Sequence, residues 1–169
     1  SALHANTLGV LNLGDGSLAT LIEDPVEGTG YAFYDVRAGD GVFAWVEMNF
    51  ANASWKLYAQ NLAGSSLTGN AVELDRGGEN YDPPLFTAYG SSVIWYKMPS
   101  SGGSKTSNDS YCYRQSPSES KPETIWKSTG RFASAPRVSD GILTISPRVH
   151  NDEGVYYGMT AIDLTDGNN

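Results

Sequence analysis

Apolar residues in this chain come in short runs, each set behind a turn. "VFAWV" follows Gly39-Asp40-Gly41, "VIWY" follows Gly90-Ser91-Ser92, and "ILTI" follows Asp140-Gly141. Trp45, Trp95 and Ile145 are therefore fifty residues apart. Phe43, Val93 and Leu143 fall in the same register, as do Gly41, Ser91 and Gly141, and Arg37, Thr87 and Arg137. Gly, Asp and Ser at these turns tolerate the backbone angles of a tight hairpin, so each copy predicts two antiparallel strands around a turn. A second element recurs behind the first. "KLYAQNLAGSS" from Lys56 resembles "TLGVLNLGDGS" from Thr7 and "YYGMTAIDLTDGNN" from Tyr156. Trp55, Leu57 and Ala59 alternate with Lys56, Tyr58 and Gln60, the period of two of a half-buried strand. Short, partly polar outer strands are expected at Ala19 to Glu23, Ala71 to Asp75 and Glu123 to Lys127.

The predicted unit is a four-stranded antiparallel meander, strands A to D, repeated about every fifty residues. Such repetition points to an all-β β-propeller. A β-sandwich shares the short strands and turns but has no reason to keep a fixed period. Residues 4–23 supply half a blade, 31–75 and 79–127 two full blades, and 134–164 a partial one. That makes thirteen strands, roughly three and a quarter blades of a single propeller segment spanning 1–169, against the four to eight of closed rings. The open blade faces would leave apolar surface in water, so the chain is expected to be a piece of a longer protein and to self-associate through those faces or edges.

Composition agrees and narrows the partners. Nineteen Gly, eight Pro, ten Tyr and four Trp in 169 residues accompany few helix-forming runs. The net charge of −8, with eleven scattered basic residues, argues against nucleic acid, which requires a Lys/Arg-rich face. No apolar segment approaches the ~18 residues of a membrane span. Cys112 is the sole cysteine, so no internal disulfide is possible, and between Tyr111 and Tyr113 it is expected as a packing residue.

The stretch "DVRAGDGVFAWVE…SWKLYAQNLAGSS" resembles the repeat of TolB-like propellers, with an extended segment, a Gly/Asp turn, a Val-x-x-Trp strand and a strand ending in Asn/Asp-Leu-x-x-Gly. The resemblance covers nearly the whole chain. It implies a bacterial envelope or secreted location and a role in protein binding or scaffolding. It transfers no particular binding residue. The Gly-His and Trp-Asp dipeptides of WD40 repeats are absent, and Ser139-Asp140-Gly141 only faintly echoes the sialidase Asp-box.

Motifs for chemistry are missing. "AGSSLTG" lacks the Gly-x-Ser-x-Gly spacing of a nucleophile elbow and reads as a turn. "SSGGSKTSNDS" lacks the spacing and the helix of a phosphate loop and reads as a flexible connection. The two histidines, His4 and His150, have no metal-ligand spacing around them, and no calcium loop is present. No cofactor, no metal and no enzymatic activity are therefore expected. In a propeller, the D-to-A and B-to-C loops share one face. Here they carry Tyr31, Tyr34, Arg76, Tyr81, Asp82, Arg131 and Phe132, a mixture suited to contact surfaces or to packing between blades. The expected function is a non-enzymatic module that binds a protein or peptide. The alternatives are the gating propeller of a larger serine hydrolase or peptidase, and a glycan-binding propeller.

Overall fold

The repeated apolar runs become central strands with both faces covered. The computed structural model describes residues 7–102 and 108–165. Within them lie fifteen strands and no helix. β1 (Leu8–Leu11) and β2 (Leu18–Ile22) form a two-stranded sheet. β3 (Ala32–Ala38), β4 (Val42–Asn49), β5 (Ser54–Ala63) and β6 (Ser66–Gly77) form a four-stranded antiparallel meander. A second meander follows, of β7 (Phe86–Tyr89), β8 (Ser92–Lys97), β9 (Ser110–Gln115) and β10 (Glu123–Ser128). The last large sheet has three strands in the order β11 (Arg137–Ser139), β12 (Ile142–Ile145), β15 (Thr160–Asp163). None of the sheets closes on itself.

The period of two along each central strand splits its side chains between two apolar layers. On β4, Phe43 and Trp45 join Tyr58 and pack with Leu8, Val10, Leu21 and Ile22 of the first sheet. Val42, Ala44 and Val46 point the other way, to Phe86, Val93 and Trp95 of the second meander. On β8, Ile94 and Tyr96 then face Leu143 and Ile145 of the last sheet. The sheets are thus joined in chain order through three apolar layers. Each fully buried large side chain among them contributes about 1.5–3 kcal/mol. That double coverage is why "VFAWV" and "VIWY" are unbroken apolar runs, whereas β5 alternates.

Turns between neighbouring sheets touch as well. The Gly41 amide donates to the Gly90 carbonyl at 2.8 Å, and a Cβ on Gly39 would stand 3.0 Å from that same oxygen. The tie between turn and following strand recurs a hundred residues apart. Leu62 N–H donates to Gly41 O at 3.1 Å, and Leu164 N–H to Gly141 O at 2.8 Å.

Two elements differ from the sequence expectation. The strand predicted from Tyr156 begins only at Thr160, because a separate hairpin, β13 (Arg148–Asn151) with β14 (Gly154–Tyr157), intervenes. Pro147 carries no N–H to continue the ladder of β12, so the chain leaves that sheet and pairs with itself. The total is fifteen strands among the described residues, not thirteen. β6 also runs for twelve residues, absorbing two register shifts against β5. His4, the 103–107 part of the predicted flexible loop and the end of "LTDGNN" lie outside the described residues.

Candidate functional site

The segments that carry or flank the predicted site residues are tied down by three staples, at the ends of β4 and β8 and at the start of β13. In the first meander the staple is Glu47, a fully buried carboxylate at the end of β4. It accepts the amides of Val26 (2.7 Å) and Glu27 (2.9 Å) and the indole N–H of Trp45 (2.8 Å). Three donors offset the cost of burying the charge and hold the β2–β3 loop in place. Fifty residues on, the corresponding residue is Lys97, and the polarity reverses. Its ammonium donates to the Asp75 carboxylate at 2.7 Å and to the Arg76 carbonyl. The third staple uses neutral groups, with the Arg148 amide donating to Ser128 Oγ at 2.8 Å.

Behind the β2–β3 loop lies an ionic network. Lys56 pairs with Glu27 at 2.7 Å and Glu73 at 3.4 Å, and the Tyr58 hydroxyl donates to Glu27. The hydrogen bond from Lys56, then that from Tyr58, holds the Glu27 carboxyl below its ordinary range. The Glu27 hydrogen bond in turn raises Lys56. Burial, reinforced by Glu27, pushes the Tyr58 phenol up.

The predicted residues fall into two clusters. The first holds Tyr31 and Tyr34. The hydroxyls of Tyr31 and Ser54 lie 3.0 Å apart, which fixes the Tyr31 ring against the β4–β5 turn. Tyr34 sits at a bulge, where the pairing of β3 with β4 skips from Phe33 to Asp35. The extra residue turns its ring outward, 52% exposed, against Phe50 at 6.2 Å between centroids. Between the β2–β3 loop and the β4–β5 turn is an open hollow of about 860 Å3, lined by Asp24, Pro25, Tyr31, Asn49, Phe50 and the 28–30 backbone. Asp24, Asn49 and Phe50 escaped the sequence reading. The available signal was Phe50 itself, an aromatic residue inside the turn "NFANAS".

The second cluster holds Tyr81, Asp82, Arg131 and Phe132, and its groups are engaged with one another. Arg131 pairs with Asp82 at 2.8 Å and donates to the Pro99 carbonyl. Asp82 also accepts the Ser101 amide. Lys97 lies over the Tyr81 ring at 4.8 Å and the Trp55 ring at 4.6 Å. Phe132 is withdrawn from the loop surface, 5% exposed, and stacks flat on Tyr96 at 3.9 Å. Arg76 belongs to neither cluster; its exposed guanidinium pairs with Glu73 on β6.

The Gly64-Ser65 stretch of "AGSSLTG" is the turn joining β5 to β6. Burial pushes the Cys112 thiol up to about 12, so it is protonated and unreactive near neutral pH. Among the described residues, no three His, Cys, Asp or Glu side chains gather as a metal-binding group. Nor is any helix among them long and apolar enough to cross a membrane. No protein-family model and no curated protein matches the chain.

Proposed function

We propose that the chain is a segment of a β-propeller, related to the TolB-like repeat, that binds a protein or peptide partner at the loop end of its sheets in a bacterial envelope or secreted protein. The segment reading is supported by two meanders of four antiparallel strands, flanked by partial sheets and joined in chain order through apolar layers. The incomplete sheets, β1–β2 and β11–β12–β15, are where like sheets would complete it, from the same polypeptide or from a second copy. The binding reading rests on one observation: the exposed Tyr34–Phe50 pair at the rim of an open hollow whose loop is fixed from behind by Glu47. Exposed aromatic side chains on a rigid frame provide contact area at little entropic cost.

Selection of random twelve-residue peptides on the immobilised chain tests this, with a Tyr34→Ala/Phe50→Ala double variant as counter-target. Enriched peptides should bind the chain and lose most of their affinity for the variant. Peptides that bind both equally, or no enrichment alongside hits on a glycan array, would remove the reading in favour of another surface or of sugar recognition.

A further inference from the structure

We propose that the hollow beside Tyr31 and Phe50 receives a lysine or arginine side chain of the partner peptide, with the aromatic rings along its methylenes and the Asp24 carboxylate meeting its charge. This deepens the peptide-binding reading and rests on it.

Charge on the lining is one-sided. Among the described residues, Asp24 is the only ionisable acid or base on that lining besides the Tyr31 phenol, and it has no hydrogen-bond or ion-pair partner. Its neighbour Glu23 is exposed and likewise has no partner among the described residues. The nearby cation that could neutralise the loop, Lys56, is occupied by Glu27 and Glu73. Backbone donors around the hollow are also taken. The Gly28 amide donates to Pro25 O, Tyr31 to Gly28 O, Ala51 to the Asn49 side chain, and Val26 and Glu27 to Glu47. An anion would find few free N–H groups, whereas a cation finds an unpaired carboxylate beside aromatic rings.

The same chain already contains the filled version of this niche. Between the two meanders, the Lys97 ammonium of β8 lies over Trp55 of β5 and over Tyr81, and pairs with Asp75 of β6. An ammonium between ring faces and a carboxylate is favourable through the ring quadrupole and the charge together. At the matching position of the first meander the chain has Glu47, turned to the backbone amides of the loop. The first cluster therefore has Tyr31 at the position of Tyr81, with Phe50 and the Asp24 carboxylate on the same hollow, but no lysine of its own. A ligand's cation would supply what Lys97 supplies next door.

Amide NMR titration of the chain with three capped peptides, Gly-Gly-Lys-Gly-Gly, Gly-Gly-Arg-Gly-Gly and Gly-Gly-norleucine-Gly-Gly, decides the matter. The lysine and arginine probes should shift the amides of Gly30, Ala32 and Ala51. Their apparent affinity should fall about fivefold with Asp24→Asn, and about as much with Phe50→Ala. Norleucine, which matches the length without the charge, should bind at least about fivefold more weakly than lysine. Equal binding of norleucine, indifference to Asp24→Asn in a variant with unchanged far-ultraviolet dichroism, or no shift from any probe would overturn the proposal. Selected twelve-residue peptides that depend on Phe50 but carry no Lys or Arg preference would remove the cation while leaving the docking reading intact.

Discussion

Two loop clusters stand at the same end of adjacent sheets, and they differ in where their polar groups are engaged. Around Tyr31 and Phe50 the hydrogen-bonding capacity lies behind the surface. Glu47 holds the loop amides, Glu27 holds Lys56 and Tyr58, and at the rim Asp24 has no partner among the described residues while Tyr34 and Phe50 stand half in water. Around Tyr81 and Arg131 it lies at the surface itself, with Asp82, Arg131, Pro99 and Lys97 closed on one another and Phe132 drawn into the core. Loops at one end of adjacent sheets thus leave a carboxylate and aromatic rings open in one place and close on themselves in the other. One difference between them is an exchange of polarity, Glu47 against Lys97, fifty residues apart.

The sharpest way to break this contrast is Phe132→Ala. A buried ring stacked on Tyr96 should cost about 3–5 kcal/mol of stability when removed, read as a lowered urea midpoint. A loss below about 1 kcal/mol would mean that the second cluster is not sealed by packing. Asp82→Asn comes next. It weakens a partly exposed pair and leaves Arg131 on the Pro99 carbonyl, so a loss of about 1 kcal/mol is expected, with faster hydrogen exchange at the Ser101 amide. No change in that exchange would remove Asp82 from the seal.

The antiparallel all-β organisation was legible because strands covered on both faces leave an unmistakable mark. "VFAWV" and "VIWY" are short, rich in β-branched and aromatic residues and set behind Gly/Asp/Ser turns, and the fifty-residue interval aligned them. The β13–β14 hairpin was not legible. "RVHNDEG" is polar enough to read as an exposed turn, with the strand starting at Tyr156, and only Pro147 hinted that the ladder stops there. The division of the site residues was hidden for another reason. Tyr34 and Phe132 are both aromatic residues near a turn, yet one is turned outward by a bulge and the other finds a flat partner in Tyr96. Bulges and ring stacking are decided by contacts between distant segments, which local spacing does not encode. Register did bring Glu47 and Lys97 to matching positions. Their opposite consequences became readable only once the partners of each, loop amides and Asp75, were known.

Acid titration sharpens the part of the contrast that lies behind the first loop. Glu27 is depressed by Lys56 and Tyr58, so its contribution is fully present above the ordinary carboxyl value of 4.5. It disappears as pH falls through the lowered folded value. Denaturation midpoints measured from pH 6 to pH 3 should decline across that interval, and Glu27→Gln should flatten part of the decline. An unchanged slope in the variant would show that the loop is held by Glu47 alone.

Phe50→Ala is expected to have the smallest effect on stability, and that smallness is the point. The ring is 58% exposed and its aromatic contact is the outward-turned Tyr34, so truncation should leave the urea midpoint within about 0.5 kcal/mol of the parent. Set beside Phe132→Ala, this separates an aromatic residue kept for packing from one that packing does not require. A large exposed ring with no stabilising role is a solubility liability unless something covers it. If the substitution instead costs more than about 1.5 kcal/mol, then Phe50 closes the hollow as part of the fold, and the first cluster becomes a second seal.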